Sequence, residues 1–156
     1  MIPAKKPPLL SLRLSMIVMF FISAFLTQCT SVRLIQEYDE ITDQRVTALQ
    51  EKVARYFVTV ERNIGQPEAA YEKFTSFYDD VKVELDVLRV RNKAIPKAEI
   101  AVQQLESLQK QFDSLEKLHK LGFNTIEEVQ PAKNAIENSF AAVLQLQMAL
   151  KNRVKV

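Results

Sequence analysis

The chain has 156 residues, of which 47% are hydrophobic and 26% charged, and this length corresponds to one folded domain. Three of its 21 Lys and Arg residues fall within the first 28 residues, which contain no acid. Residues 29–156 therefore carry 18 basic and 19 acidic side chains, a net charge of −1. That balance excludes the strongly basic surface of a nucleic-acid-binding protein, and the single cysteine excludes an intramolecular disulfide framework.

An apolar run from Leu14 to Leu26 follows the basic residues Lys5, Lys6 and Arg13. A charged segment ahead of an apolar segment of this length is typical of a secretory signal. A membrane-spanning helix requires more, roughly 20 apolar residues. The sequence therefore predicts an exported protein.

The apolar run ends in Leu26-Thr27-Gln28-Cys29, which resembles the lipobox of bacterial prolipoproteins. The resemblance implies that residues 1–28 are a signal peptide, and that Cys29 carries a diacylglyceryl group and becomes the acylated first residue of a mature lipoprotein. It also implies attachment to the outer membrane, on the periplasmic face, because Thr30 stands where an aspartate would retain the protein in the inner membrane. Several acyl chains, at about 0.8 kcal/mol per buried methylene, would anchor the protein firmly.

Gln28 departs from the lipobox pattern, which normally places Gly, Ala or Ser immediately before the cysteine. An alternative therefore stays open, in which Leu9 to Val32 form an uncleaved anchor in the inner membrane.

Glycine and proline divide the rest of the chain into four segments of helical periodicity, at Gly65 with Pro67, at Pro96, and at Gly122 with Pro131. The predicted helices cover about 31–63, 67–92, 96–121 and 125–154, within a domain of residues 29–156. A capping box, Thr125 to Glu128, is predicted to start the fourth helix, with Pro131 causing either a kink or a separate first turn.

Each segment carries one apolar stripe at spacings of three, four and seven residues. The predicted core positions include Val46, Leu49, Val53, Phe57, Val60, Val81, Leu85, Leu88, Leu105, Leu108, Phe112, Leu115, Ile136, Phe140 and Val143. Four such helices with short connections predict an all-α protein, an elongated up-down-up-down four-helix bundle. A three-helix bundle or a coiled-coil dimer is the alternative.

Glu116 and His119 match the Glu-x-x-His unit of carboxylate-bridged di-iron bundles. Such a centre needs that unit twice, and the chain has one histidine. A haem held by His119 and Met148 is hardly better supported, because both residues also fit as a histidine at the bundle margin and a gap-filling methionine. We predict no cofactor, no metal site and no catalytic residues, and hence no enzymatic activity.

Two further groups of side chains stand out. Tyr71, Phe74, Phe77 and Tyr78 predict either a bulky core layer or an apolar pocket. Arg91 and Gln147 are polar side chains at or beside the apolar stripes, where polar groups can fix helix register or face a partner.

The mature segment also resembles small bacterial lipoproteins that begin with Tyr-Asp-x-x-x-Asp, here Tyr38-Asp39 to Asp43, and contain Leu-x-x-Leu-His, here Leu115 to His119. The sequence predicts a non-enzymatic scaffold or interaction module of the cell envelope. It would be tethered through Cys29 and would dock an envelope protein on one helix face, for instance that of the first helix. The alternative is a helical-bundle binder or sensor of a small apolar ligand.

Overall fold

The computed structural model describes residues 35–154. They form four α-helices, α1 (Glu40–Arg62), α2 (Thr75–Lys93), α3 (Glu99–Leu121) and α4 (Ile126–Val154), with two short 3₁₀ helices, Pro67–Ala69 and Tyr71–Lys73, between α1 and α2. No β-strand occurs among the described residues. The predicted all-α, four-helix architecture is confirmed, whereas the predicted signal peptide and Cys29 lie outside the described residues.

The helices pack in a ring, each against the next, with α4 also against α1. In three of the four neighbouring pairs, cross-helix contacts join rising residue numbers on one helix to falling numbers on the other, so these pairs are antiparallel. The contacts are Arg45–Glu84 and Lys52–Asp80, Lys82–Glu116 and Lys93–Glu106, Asp43–Lys151 and Glu61–Lys133. The fourth pair, α3 and α4, is then antiparallel as well, because α3 runs parallel to α1 and α4 runs antiparallel to it. The topology is the up-down-up-down bundle expected for short connections.

We call the end of the bundle at which α1 and α3 begin the proximal end, and the opposite end the distal end. The core between them contains the predicted stripe residues, of which Val46, Val60, Val81, Leu88, Leu108, Leu115 and Ile136 are fully buried. No helix in residues 35–154 is long and apolar enough to cross a bilayer.

The first helix begins at Glu40, so its predicted start near residue 31 is wrong over residues 35–39, which are not helical. Asp39 has an extended backbone (φ −120°, ψ 105°), and its carboxylate accepts a hydrogen bond from the Thr42 backbone N–H. A side chain that caps a helix in this way satisfies one of the unpaired N–H groups of the first turn. The segment before α1 is hydrogen-bonded to the α2–α3 connection rather than continuing the helix, because the Gln36 N–H donates to the Lys97 carbonyl (3.1 Å).

The second helix begins at Thr75 rather than at Pro67, a second correction. Ala70 is extended (φ −69°, ψ 143°) and separates the two 3₁₀ turns. An α-helix through this segment would bond the Lys73 N–H to the Ala69 carbonyl. That carbonyl accepts from the His119 ring instead, and the Lys73 N–H donates to Ala70 (3.0 Å).

The third helix starts at Glu99, three residues after the predicted start, beyond a turn in which Lys97 has a positive φ of 64°. The fourth runs unbroken from Ile126 with Pro131 as its sixth residue, so no separate first turn forms. In place of the predicted capping box, the Glu128 carboxylate accepts from the Asn124 backbone N–H (2.7 Å), one residue earlier than expected.

Candidate functional site

The most polar part of the core is a cluster at the distal end, made by Tyr56 of α1, Tyr78 of α2 and His119 of α3. All three are at most 3% exposed. The two hydroxyl oxygens lie 2.6 Å apart, and each lies 2.9 Å from His119 Nδ1. His119 Nε2 lies 2.8 Å from the carbonyl oxygen of Ala69 in the first 3₁₀ turn. This tyrosine–histidine cluster therefore joins three helices and the α1–α2 connection.

The hydrogen-bond partners fix the protons of the cluster. The Ala69 carbonyl can only accept, so Nε2 of His119 carries the proton and donates it, and Nδ1 is an acceptor. One tyrosine donates to Nδ1, and the other donates to the oxygen of the first. Every proton then has an acceptor. An imidazolium would add a proton on Nδ1 and leave one of the three facing protons without an acceptor.

Burial reinforces the neutral state of all three groups. It lowers the pKa of His119 below its ordinary value of 6.5, although the Ala69 hydrogen bond and the Glu72 carboxylate act in the opposite direction. Burial also raises the pKa values of Tyr56 and Tyr78 well above 10. At neutral pH the cluster contains no charge.

Aromatic rings surround the cluster. Phe123 stacks on the His119 ring with centroids 4.9 Å apart, and Phe77 stacks on Tyr56 at 4.3 Å. Phe74 contacts both His119 and Tyr56, at 5.4 and 5.1 Å. The aromatic residues singled out in the sequence do come together, and their rings contact one another as in a filled core layer.

Glu116 lies at the edge of the cluster and has different partners from His119. Its carboxylate, with 9% side-chain exposure, contacts Lys82 Nζ (2.6 Å), Lys120 Nζ (2.9 Å) and the Tyr71 hydroxyl (2.9 Å). Burial alone would raise the pKa of Glu116, but the hydrogen bonds from Lys82, Lys120 and Tyr71 lower it to about 2. The carboxylate stays ionised and links α2, α3 and the second 3₁₀ turn.

The two residues of the Glu-x-x-His unit therefore belong to separate networks, Glu116 to an ion-pair network and His119 to the tyrosine–histidine cluster. Among residues 35–154, no three His, Cys, Asp or Glu side chains converge as metal ligands would. Met148 is 63% exposed near the end of α4, toward the proximal end, whereas His119 is enclosed at the distal end. The two candidate haem ligands therefore do not face one site, and His119 is not at the bundle margin.

Tyr56 is the member of the cluster that the sequence analysis missed. Its signal was present, because Leu49, Val53, Tyr56 and Val60 follow one another at spacings of four, three and four. It was overlooked because its hydroxyl makes it less apolar than the adjacent Phe57, which was assigned to the stripe instead.

A second set of polar side chains lies at the proximal end and links the start of α1 to the end of α2. Arg91 donates two hydrogen bonds, of 2.6 and 2.7 Å, to the carboxylate of Asp39. The guanidinium, followed by smaller effects of Thr42, lowers the pKa of Asp39 to about 2. Asn92, which is fully buried, donates to the Thr42 hydroxyl (3.0 Å). Arg91 therefore holds α2 to the start of α1.

The Tyr-Asp-x-x-x-Asp residues belong to this group. The Tyr38 hydroxyl donates to the Asp43 carboxylate (2.7 Å), and Lys151 of α4 lies 3.6 Å from the same carboxylate and 5.3 Å from the centre of the Tyr38 ring.

Gln147, also on α4, is fully buried, and its amide has no hydrogen-bond partner among the described residues.

The fold and its two polar clusters define an antiparallel four-helix bundle whose polar core side chains bind one another. No protein-family model matches the chain, and neither curated proteins nor solved structures show a significant match to it.

Proposed function

We propose that the protein is a lipid-anchored, non-enzymatic interaction module of the bacterial cell envelope. The anchor is assigned to Cys29 on the basis of the apolar run and the Leu26-Thr27-Gln28-Cys29 sequence. The module is the four-helix bundle, which presents helix faces to a protein partner at the periplasmic side of the outer membrane.

The main support for a non-enzymatic role is that both ring nitrogens of His119 are occupied by hydrogen bonds within the core. This residue is the chain's single histidine, it is 1% exposed, and both ring nitrogens are engaged by Tyr56, Tyr78 and the Ala69 carbonyl. A general base or a ligand would need one of those nitrogens free to meet a substrate or a metal. His119 instead holds the bundle together.

The sequence between anchor and bundle supports a role close to the membrane. Five residues separate Cys29 from Ile35, the first described residue. At roughly 3.5 Å per residue the fully extended interval covers about 20 Å. A bundle on so short a tether acts on partners near the membrane surface.

The anchor is tested by the intact mass of detergent-extracted protein, with Cys29→Ala expressed in the same cells. We expect the wild-type mass to equal residues 29–156 plus acyl groups, and Cys29→Ala to keep its full length. Gln28→Ala, which restores a small residue before the cysteine, should be processed at least as completely as wild type. A full-length, unmodified wild-type mass would overturn lipidation and favour the uncleaved inner-membrane anchor.

A further inference from the structure

The connection between α1 and α2 covers one side of the tyrosine–histidine cluster. Its two 3₁₀ helices, Pro67–Ala69 and Tyr71–Lys73, have no side-chain cap. Ala69 is 6% exposed, and its carbonyl accepts the hydrogen bond from His119 Nε2. We call residues 66–74 the lid, because they enclose His119 on this side.

The backbone hydrogen bonds of the lid are largely internal. Four of its N–H groups donate to carbonyls within residues 66–71, and the donors are Ala69, Ala70, Lys73 and Phe74. The lid can therefore move off the cluster without breaking a backbone hydrogen bond of α1 or α3. Turns as short as these do not persist alone, so a displaced lid loses its own hydrogen bonds as well.

Three side chains from residues 116–120 of α3 hold the lid in place. His119 donates to the Ala69 carbonyl, Glu116 accepts from the Tyr71 hydroxyl (2.9 Å), and Lys120 Nζ lies 4.9 Å from the centre of the Tyr71 ring. The pKa of Glu116 is about 2, and hydrogen bonding to Glu116 raises the pKa of Lys120 above its ordinary value of 10.5. Of the three, only His119 can therefore change its charge between pH 7.5 and 5.

Protonation of His119 leaves one proton of the cluster without an acceptor while the lid is closed. Nε2 already donates to Ala69, so the added proton occupies Nδ1, 2.9 Å from both tyrosine hydroxyl oxygens. The closed lid also holds the imidazolium charge on a side chain that is 1% exposed. An unpaired buried proton and a buried charge are both unfavourable, and opening the lid relieves both by admitting water.

The ionisable side chains on the elements packed around His119 do not give it a hydrogen-bonded counterion. The two tyrosines, from α1 and α2, are neutral, and the Glu116 carboxylate is engaged by Lys82 and Lys120. Burial lowers the pKa of His119 more than the Glu72 carboxylate raises it, and Glu72 lies exposed on the lid itself. The acidic residues in the first turn of α4 are also exposed, and they are Glu127 and Glu128.

We propose that the lid is an acid-sensitive switch, which covers the cluster while His119 is neutral and opens when His119 is protonated. Opening exposes Tyr56, Tyr78 and His119 to solvent, each of which is at most 3% exposed under the closed lid. The four helices stay packed, because the core toward the proximal end, including Leu88 and Leu108, does not involve the lid. Local opening that gives up few contacts is less costly than global unfolding. The inference goes beyond the proposed function and does not depend on the anchor.

The test is amide hydrogen exchange of the full-length, detergent-extracted protein between pH 7.5 and 5, followed by mass spectrometry. Each rate is divided by that of the unfolded chain at the same pH, so that the quotient reports opening alone. We expect opening of residues 66–74 to rise by at least about tenfold between pH 6.5 and 5, which is within the limit for uptake of one proton.

The α2–α3 connection at the proximal end provides an internal control. The N–H groups of Ala94 and Ile95 are hydrogen-bonded to the carbonyls of Arg91 and Asn92, as those of the lid are to its own carbonyls. We expect their protection to change by less than about twofold over the same pH range, because no histidine lies at that end.

Two variants form a matched pair, since each removes one of the two hydrogen bonds that hold the lid. His119→Gln should open the lid more than in wild type at pH 7.5 and should abolish the dependence of opening on pH. Tyr71→Phe should also increase opening at pH 7.5, but it should keep the wild-type dependence on pH because His119 remains.

Equal pH dependence of lid opening in wild type and His119→Gln would overturn the proposal. Loss of protection in all four helices at the same pH as in the lid would also overturn it, since that result describes global acid unfolding. If His119→Gln does not fold, wild type and Tyr71→Phe still decide. A lid that stays protected down to pH 5 in both would overturn the switch.

Discussion

The single histidine makes the protonation of the tyrosine–histidine cluster measurable. His119 has a folded pKa below its unfolded value of 6.5, so the unfolded chain binds more protons below that pH. We expect the free energy of unfolding to fall as the pH is lowered below about 6.5, by up to about 1.4 kcal/mol per pH unit. Urea denaturation between pH 7.5 and 5 measures the effect.

The control is His119→Gln, whose free energy of unfolding should be lower at pH 7.5 and nearly constant down to pH 5. Asp39 and Glu116 have pKa values of about 2 in the folded protein and about 4 when unfolded, so their contributions are lost only below about pH 5. An equal slope in wild type and variant between pH 6.5 and 5 would contradict the neutral, enclosed His119.

The two tyrosines of the cluster should be coupled. Tyr56→Phe and Tyr78→Phe each leave one hydroxyl 2.9 Å from His119 Nδ1, so each should cost about 1 kcal/mol. The double variant leaves Nδ1 buried without a donor, and we expect its cost to exceed the sum by about 1 kcal/mol or more. Denaturation of wild type, the two single variants and the double variant gives the four free energies of unfolding. A double-variant cost equal to the sum of the two single costs would contradict a shared acceptor.

Residue pattern predicts burial better than it predicts hydrogen bonding. Leu85, Leu108 and Ile136 were placed in the core by spacing alone, and all are buried. The partners of His119 could not be derived in the same way, because Tyr56, Tyr78 and Ala69 are 63, 41 and 50 positions away from it. Only the packing of three helices brings them to one point.

At the scale of the helices, Asp39 performs two tasks that substitution can separate. It caps α1 through the Thr42 N–H, and it binds Arg91 of α2. Asp39→Ala removes both contacts and should cost about 2 kcal/mol. Asp39→Asn keeps a capping oxygen and loses the charge, so we expect roughly half that cost. Thermal or urea unfolding of both variants measures the difference, and equal costs would assign the whole effect to Arg91.

Helix ends were predicted well where glycine sets them and poorly where a side chain does. Gly122 has a φ of 87° and ends α3 where expected. The start of α1 was placed too early, because the helical periodicity of the sequence continues through residues 31–39, whereas the Asp39 cap and the hydrogen bond from Gln36 to Lys97 hold residues 36–39 outside the helix. The start of α2 was missed because the Ala69 carbonyl is used by His119, a contact that no local pattern reveals.

At the scale of the whole molecule, two polar clusters lie at opposite ends of one apolar core. The distal cluster joins α1, α2, α3 and the 3₁₀ segment, and the proximal group joins the start of α1 to α2 and α4. The up-down-up-down topology followed from four amphipathic stripes and short connections. Which polar side chains bind one another at each end depends on tertiary distances, so the sequence predicted the position of Arg91 without its partner Asp39.

Gln147 shows what a polar side chain inside such a core costs. Its amide is fully buried and has no hydrogen-bond partner among residues 35–154. A buried unpaired polar group costs about 1–3 kcal/mol, whereas an apolar side chain of similar shape does not. We expect Gln147→Met to raise the free energy of unfolding by about 1 kcal/mol and the melting temperature by about 2–4 °C.

Gln145→Met is the control for this last change, since Gln145 lies on the exposed side of the same helix and should leave the melting temperature within about 1 °C. A lower melting temperature in Gln147→Met alone would mean that the Gln147 amide is satisfied in the folded protein. A higher one, accompanied by broader unfolding, would mean that Gln147 trades stability for a single helix register, as polar residues at apolar seams do in coiled coils.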